Sequence, residues 1–143
     1  MSLRYIVYSS HAVTDLAPPR IRRLAESAAA FNQIAGITGV LLFDGARFVQ
    51  YIEGPADGME AAFGRIKAAT CHTGLKVLAD GRMSARLIPY WEMQALDVPA
   101  QAVDRLIQAR WQGDADGTPV SAEEGMSLLL SLTEASGDRP GTA

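Results

Sequence analysis

Two apolar runs, "ITGVLLFD" at 37–44 and "RFVQYIEG" at 47–54, meet across Asp44-Gly45. Aspartate followed by glycine between apolar runs is a strong signal of a tight hairpin. A hairpin fixes which residues face each other, and a slip of one residue turns every side chain to the opposite face. The first run is too apolar for a strand with one wet face, so it is predicted to be central. In the second run, alternation puts Phe48, Gln50 and Ile52 on one side and Val49, Tyr51 and Glu53 on the other. A neutral amide therefore sits between two large apolar residues. Burying an amide without partners costs about 2–7 kcal/mol, depending on the reference state. Either Gln50 has a partner that its own strand does not supply, or its face is not the inward one.

The rest of the chain supplies elements that can build around this hairpin. Residues 4–9, "RYIVYS", are β-branched and aromatic and read as a strand. Pro18 and Pro19 suit a first helical turn, and 20–34 follow as a helix carrying Ile21, Leu24, Ala28 and Phe31 along one stripe. Gly36 stands where a left-handed cap ends such a helix. A second helix over 56–69 carries Met59, Ala62, Phe63 and Ile66. "LKVLADG" at 75–81 reads as a fourth strand. "LIPYWEMQALD" at 87–97 reads as a fifth, with Trp91, Met93 and Ala95 on one face and Pro89 marking an edge or a start.

The order β-α-β-β-α-β-β predicts an α+β, ferredoxin-like sheet with both helices on one face. Two further amphipathic segments, "PAQAVDRLIQARW" and "SAEEGMSLLLSL", are predicted to form helices that cover the other face. The expected division is a sheet domain at 1–97, a helical extension at 98–134 and a flexible polar tail at 135–143. In such a sheet the first and third strands pair at the centre. Tyr8 and Gln50 then become neighbours beneath the helices, and the end of the first helix brings Asn32 close.

Composition removes several function classes. The 143 residues suit one domain with a sizeable core. The 13 basic residues are scattered and the net charge is −3, so no strip suits a phosphate backbone and no direct nucleic-acid partner is expected. No apolar run is long enough to span a bilayer, and the apolar stretch in "MSLRYIVYSS" is too short for a signal-peptide core. No membrane contact and a cytoplasmic location are therefore expected. Cys71 is the one cysteine, and with His11 and His72 it makes a poor metal inventory. Cys71 and His72 are adjacent, which rarely presents both side chains to one point as nucleophile and base.

Each remaining polar or redox-capable residue has an ordinary reading. A buried tyrosine ties its hydroxyl to a carbonyl, an asparagine near a helix end is a cap, and a strand tryptophan is core. Gln50 is the exception, since packing does not explain it. An amide carries a donor and an acceptor that exchange by rotation, and beside a phenol it can hold either of two patterns. That suits holding a flat polar ring rather than hydrolysis.

The pieces "RYIVYSS", "FNQIAGITGVLLF", "RFVQYIEGP", "GRIKAATCH" and "IPYWEMQ" together resemble the BLUF domains, blue-light sensors that use flavin. The combination of "ITG" before a strand, F-x-Q-x-x-E-G and W-x-M carries the resemblance, which runs over about residues 3–97. It resembles the short, single-domain members most. The resemblance implies a flavin-binding domain at 1–97 that is a photoreceptor and not an enzyme. It implies that Tyr8 is the photoactive tyrosine, Gln50 the switching glutamine and Asn32 a hydrogen-bond partner of the flavin ring. It implies that Trp91 and Met93 take part in signalling, and that Arg65 and His72 stand around the ribityl-phosphate side. Leu24, Phe31, Phe48 and Ile66 would form the apolar walls. FAD is the implied cofactor, with FMN and riboflavin as shorter alternatives. The apolar faces of the two C-terminal helices make them the expected surface for a downstream protein partner or a homo-oligomer.

The sequence departs from the family pattern at Ala69 and Cys71, where an acid and an arginine are common. It departs also at Phe31 and at Ala28, where a serine is frequent one turn before the asparagine. Two rivals stay open: a flavin-free interaction module of the same fold, and a small ferredoxin-like enzyme. The enzyme reading lacks an evident acid–base pair.

Overall fold

The computed structural model describes residues 3–13, 18–89, 91–111 and 124–135. Its elements are β1 (Leu3–Ala12), α1 (Pro18–Ala35), β2 (Thr38–Phe43), β3 (Arg47–Pro55) and α2 (Ala56–Ala68), then β4 (His72–Met83), β5 (Gln94–Asp97), α3 (Ala100–Gln108) and α4 (Glu124–Ala135). The strands form one sheet in the order β4-β1-β3-β2-β5. β1 and β3 are antiparallel neighbours with Tyr8 opposite Gln50. β5 runs parallel to β2, Val40 to Gln94 through Phe43 to Asp97.

The hairpin turns where the sequence places it. Gly45 takes φ 100°, and the Asp44 carboxylate accepts the backbone N–H groups of Ala46 at 2.9 Å and Arg47 at 2.6 Å. Arg47 closes the turn with a 2.9 Å ion pair to Asp44. Burial pushes the Asp44 carboxyl upward, but the hydrogen bonds from Ala46 and Arg47 outweigh it and hold the pKa below the usual carboxylate range. A depressed folded pKa means this contribution is present above the unfolded value and fades as pH falls through the folded one.

The sheet is covered on both faces. On one side Ile6, Leu41, Phe43, Phe48 and Ile52 pack with Ile21 and Ala25 of α1 and Met59 and Ala62 of α2. On the other, Tyr5, Val7, Val40, Leu42, Val49 and Tyr51 pack with Val103 and Leu106 of α3 and Met126 and Leu129 of α4. Each fully buried side chain of this size stabilises by about 1.5–3 kcal/mol relative to exposure. The two C-terminal helices are thus where the bare face of the sheet requires them.

Their boundaries differ from the sequence windows. α3 stops at Gln108, and Trp111 lies beyond it, folding back so that its indole N–H donates to the Leu106 carbonyl at 2.7 Å. α4 is described from Glu124 to Ala135; residues 121–123 of its window and 136–143 of the predicted tail lie outside the described residues. Among the described residues no helix is long and apolar enough to cross a membrane.

The fifth strand is the main correction. Ladder pairing begins at Gln94, not at residue 87. Before it, the chain is held by other contacts. Leu87 and Ile88 donate their N–H groups to the Glu53 carboxylate at 2.8 and 2.9 Å, Pro89 has no N–H to give, and Gly39 donates to the Trp91 carbonyl at 2.9 Å. Two-residue alternation does not govern a stretch outside the ladder. Trp91 therefore packs in the core beneath α3 and α4, while Met93 packs in the core beneath α1 and α2. The expectation that they share a face is overturned.

Gly39, the glycine of "ITG", pairs with Ile52 and leaves no room for a side chain: a Cβ there would lie 2.1 Å from the Tyr51 carbonyl oxygen. Gly39→Ala must push β2 off β3. It is expected to destabilise the fold by about 3 kcal/mol, the upper end of ordinary overpacking. Chemical denaturation checks this, and a loss below about 1 kcal/mol would show that the sheet yields more easily than its register allows.

Candidate functional site

α1 and α2 do not close completely over the sheet. Between them lies a cleft of about 800 Å³, its open mouth included. The stripe of α1 that repeats every three or four residues brings Leu24, Ser27, Ala28 and Phe31 to it, with Asn32 beside them. α2 contributes Ala62, Arg65 and Ile66, and the strands contribute Tyr8, Phe48 and Gln50 as a floor. Leu24, Phe31 and Ile66 of the helices make apolar walls above that floor, a slot suited to a flat ring.

The floor answers the question raised by Gln50. The side chain is only 5% exposed, and the Tyr8 hydroxyl donates to its Oε1 in a direct buried hydrogen bond. Its Nε2 donates to the Met93 sulfur at 3.4 Å, a weak acceptor. Burial raises the Tyr8 pKa far above the ordinary phenol value, with a smaller push from Cys71, so the phenol keeps its proton. The ring of Tyr8 lies 5.8 Å from His72 and 6.3 Å from Phe63, both tilted.

Asn32 is buried at the rim, and its Nδ2 donates to the Glu92 carbonyl at 2.8 Å. Its backbone carbonyl caps α1 by accepting from Ile37 at 2.8 Å. Asn32 thus does both jobs, ending the helix with its main chain and holding the 91–93 stretch with its side chain. Among the described residues no bond is formed to its side-chain oxygen, which leaves that oxygen to the cleft.

His72 and Arg65 both line the cleft. His72 Nε2–H donates to the Ile66 carbonyl at 2.8 Å, and its Nδ1 accepts from Ser10 Oγ at 2.7 Å. Both nitrogens are therefore spent tying the end of α2 to β1. The Arg65 guanidinium sits 4.2 Å from the centre of the Phe31 ring, a cation–π contact across the two helices. Trp91 does not line the cleft; Met93 reaches it through Gln50.

Two features escaped sequence reasoning. Ser27 lines the cleft beside Ala28, so a hydroxyl is present one position from where the family pattern suggests it. Glu53, fully buried on the far side of β3, binds Leu87 and Ile88 and also accepts from Thr38 at 2.8 Å and Tyr51 at 2.6 Å. A carboxylate on the same row as Val49 and Tyr51 was the available signal.

A ferredoxin-like sheet with an apolar slot over a buried Tyr–Gln pair defines a class of small ring-binding sensor. Comparison with known proteins gives that class its family. Residues 3–94 match the family described as sensors of blue-light using FAD, and the chain belongs to that BLUF family, whose members are blue-light flavin photoreceptors. It is 28% identical over 95 residues, 65% of its length, to the photoactivated adenylate cyclase subunit beta of Euglena gracilis, of which it spans 11%. It is 27% identical over 107 residues, 75% of its length, to the blue light- and temperature-regulated antirepressor BluF of Escherichia coli, of which it spans 27%. Among solved structures, the dark state of the BLUF protein BlrB matches with TM-score 0.72 and 26% identity over 94% of this chain and 97% of that one. The BlrP1 BLUF structure matches with TM-score 0.69 and 26% identity over 97% of this chain and 94% of that one.

The His72 clamp can be tested without any ligand. His72→Ala removes two hydrogen bonds and leaves a void beside Tyr8, and is expected to cost about 2 kcal/mol. Denaturant unfolding reads that cost. Faster amide exchange confined to the last turn of α2 identifies its source, and unchanged exchange there would contradict the clamp.

Proposed function

We propose that this chain holds FAD non-covalently in the α1–α2 cleft and signals blue light through Tyr8 and Gln50. The observation that carries the reading is the buried Tyr8–Gln50 hydrogen bond on the floor of an apolar slot. The slot fits a flavin ring. Its walls are aliphatic and aromatic, its floor offers a reversible amide, and Asn32 has an oxygen directed to no protein partner among the described residues. FAD is the choice because the family is described as using it. FMN is the alternative, since the related BlrP1 of Klebsiella pneumoniae, 28% identical with TM-score 0.66, has been solved with FMN and cyclic diGMP.

A bound flavin supplies blue absorption and a site that takes an electron from a nearby phenol. The protein's part is to hold and rearrange hydrogen bonds. Tyr8, kept protonated by burial, donates to Gln50 Oε1 and is the residue placed to give up and recover an electron and a proton. Turning the Gln50 amide over exchanges its ends, so that Nε2 meets the Tyr8 oxygen and the bond to Met93 is lost. Met93 is thereby released from its polar contact with the floor. Movement of 91–93 reaches β5 and α3 within a few residues, because Val98 and Pro99 join them directly.

The slot favours sensing over catalysis. Among the described residues no carboxylate lines it, and His72 is committed at both nitrogens. A flavin-free module would have little use for a buried amide held against a phenol. The chain spans only a part of the curated relatives it matches, so its output is a separate matter. In this reading α3 and α4 present it to a downstream protein in the cytoplasm, and the chain self-associates.

Purified protein is expected to carry flavin that acid releases, and blue light is expected to give a small, reversible red shift of its band. A hydrogen bond strengthened at the ring carbonyl lowers the transition energy. Gln50→Leu and Tyr8→Phe should bind flavin yet lose the shift. A Gln50→Leu protein that switches normally would remove the amide from the mechanism.

Met93→Ala separates the shift from its output. The variant is expected to keep the red shift but to lose light-dependent change in amide exchange across α3 and α4. No such change in the wild type, or a full change in the variant, would place the route elsewhere.

A further inference from the structure

β3 carries a second buried polar side chain, and its connections bear on what the first can move. Glu53 is three residues from Gln50 and points to the opposite face, beneath the helical extension side of the sheet. Its carboxylate is fully enclosed. Oε1 accepts from the Tyr51 hydroxyl and the Leu87 N–H, and Oε2 from the Thr38 hydroxyl and the Ile88 N–H. Burial first, and then Glu53, push the Tyr51 pKa upward, which keeps that hydroxyl a donor. Arg86 adds bonds to Thr38 Oγ1 at 3.0 Å and the Gly36 carbonyl at 2.6 Å. The chain at 86–88 is therefore fastened to β2 and β3, although it makes no ladder there.

Resting on the photoreceptor reading above, we infer that Glu53 is a positioning residue: it pins residues 86–88 so that a change at Gln50 is passed through residues 91–93 toward β5 and is not lost upstream. Beyond Ile88 the chain passes to other partners among the described residues. Pro89 lacks an N–H; Gly39 then takes the Trp91 carbonyl, Asn32 takes the Glu92 carbonyl, and Gln50 reaches the Met93 sulfur. A single strand thus holds the fixed end of the segment from one face and its movable end from the other. With the fixed end loose, the loss of the Met93 contact would be absorbed by slack at 84–88 instead of reaching β5.

Glu53→Gln tests this because an amide cannot reproduce the carboxylate. Whichever way it turns, its NH₂ group faces either the Leu87 or the Ile88 N–H, and that donor loses its acceptor. In the flavin-loaded protein, exchange of the Leu87 or the Ile88 amide in the dark is expected to accelerate by about tenfold or more. Light-dependent exchange in α3 is expected to fall while the red shift persists. Tyr51→Phe, which removes a donor from the carboxylate but not the backbone bonds, is expected to leave the α3 response. If Glu53→Gln does not fold, Arg86→Ala loosens the same anchor without taking the acceptor from Leu87 or Ile88 and is expected to act in the same direction. Amides at 87–88 as protected as in the wild type, or an undiminished α3 response alongside faster exchange there, would overturn the inference. The dark exchange needs no light response, so it separates this outcome from a wild type that fails to photoshift, which would defeat the photoreceptor reading instead.

Discussion

β3 is buried along its length, and that one constraint organises the molecule. A strand with water on one side can leave a polar side chain to solvent; a strand under helices on both sides cannot. Every polar group on β3 between Phe48 and Gly54 must find a partner inside the protein. Gln50 finds Tyr8 on the next strand and Met93 from the loop before β5. Glu53 finds two hydroxyls and two backbone N–H groups on the other face. The pairing of β1 with β3 in the register Tyr8 to Gln50 is therefore a requirement of burial as much as of the sheet.

The two buried polar groups differ in kind, and the difference suits different tasks. A carboxylate satisfied by four donors is expensive to disturb, because losing a partner strands a charge in a low-dielectric core. A neutral amide with one strong and one weak partner is inexpensive to turn, since both ends remain polar and the sulfur is a poor acceptor. On the proposed reading, the same strand presents a stiff anchor and a soft switch. Gln50 lies on the side of the α1–α2 cleft and Glu53 on the side of the C-terminal helices, which is the arrangement a relay needs.

Much of this was legible in the sequence because it rests on periodicity. Alternation in "RFVQYIEG" placed Gln50 inward, and the β-α-β-β-α-β-β order brought Tyr8 beside it. The stripe Leu24, Ala28, Phe31 of α1 faces the cleft as its spacing requires. What failed was periodicity carried past its domain. Trp91 and Met93 precede the ladder, so their directions are set by tertiary bonds from Gly39, Asn32 and Gln50, and they end on opposite sides of the sheet. Arg65 and His72 have the residue types that a sugar-phosphate tail would suit. Their side chains are nonetheless engaged locally, Arg65 on Phe31 and His72 on Ser10 and Ile66. A linear sequence does not show which nearby partner takes a hydrogen bond first.

Besides the packing of Val103 and Leu106 against the sheet, two local links tie α3 to the strands, and they differ in strength. Arg47 of the hairpin bonds Asp104 at 2.8 Å and the Ala100 carbonyl at 3.2 Å, directly on α3. That pair is half-exposed on the Asp104 side, and such surface contacts are worth about 0–1 kcal/mol. The other link is covalent: β5 runs into α3 through Val98 and Pro99, with Val98 bonded to the Phe43 carbonyl at 2.9 Å and Leu96 and Val98 packed against the far core. Burying two such side chains, even in part, outweighs one exposed ion pair. The β5 connection is therefore the stronger of these two local links. β5 has only four residues on a sheet edge with a single neighbouring strand, so on the proposed reading the path from Met93 to the helix is short.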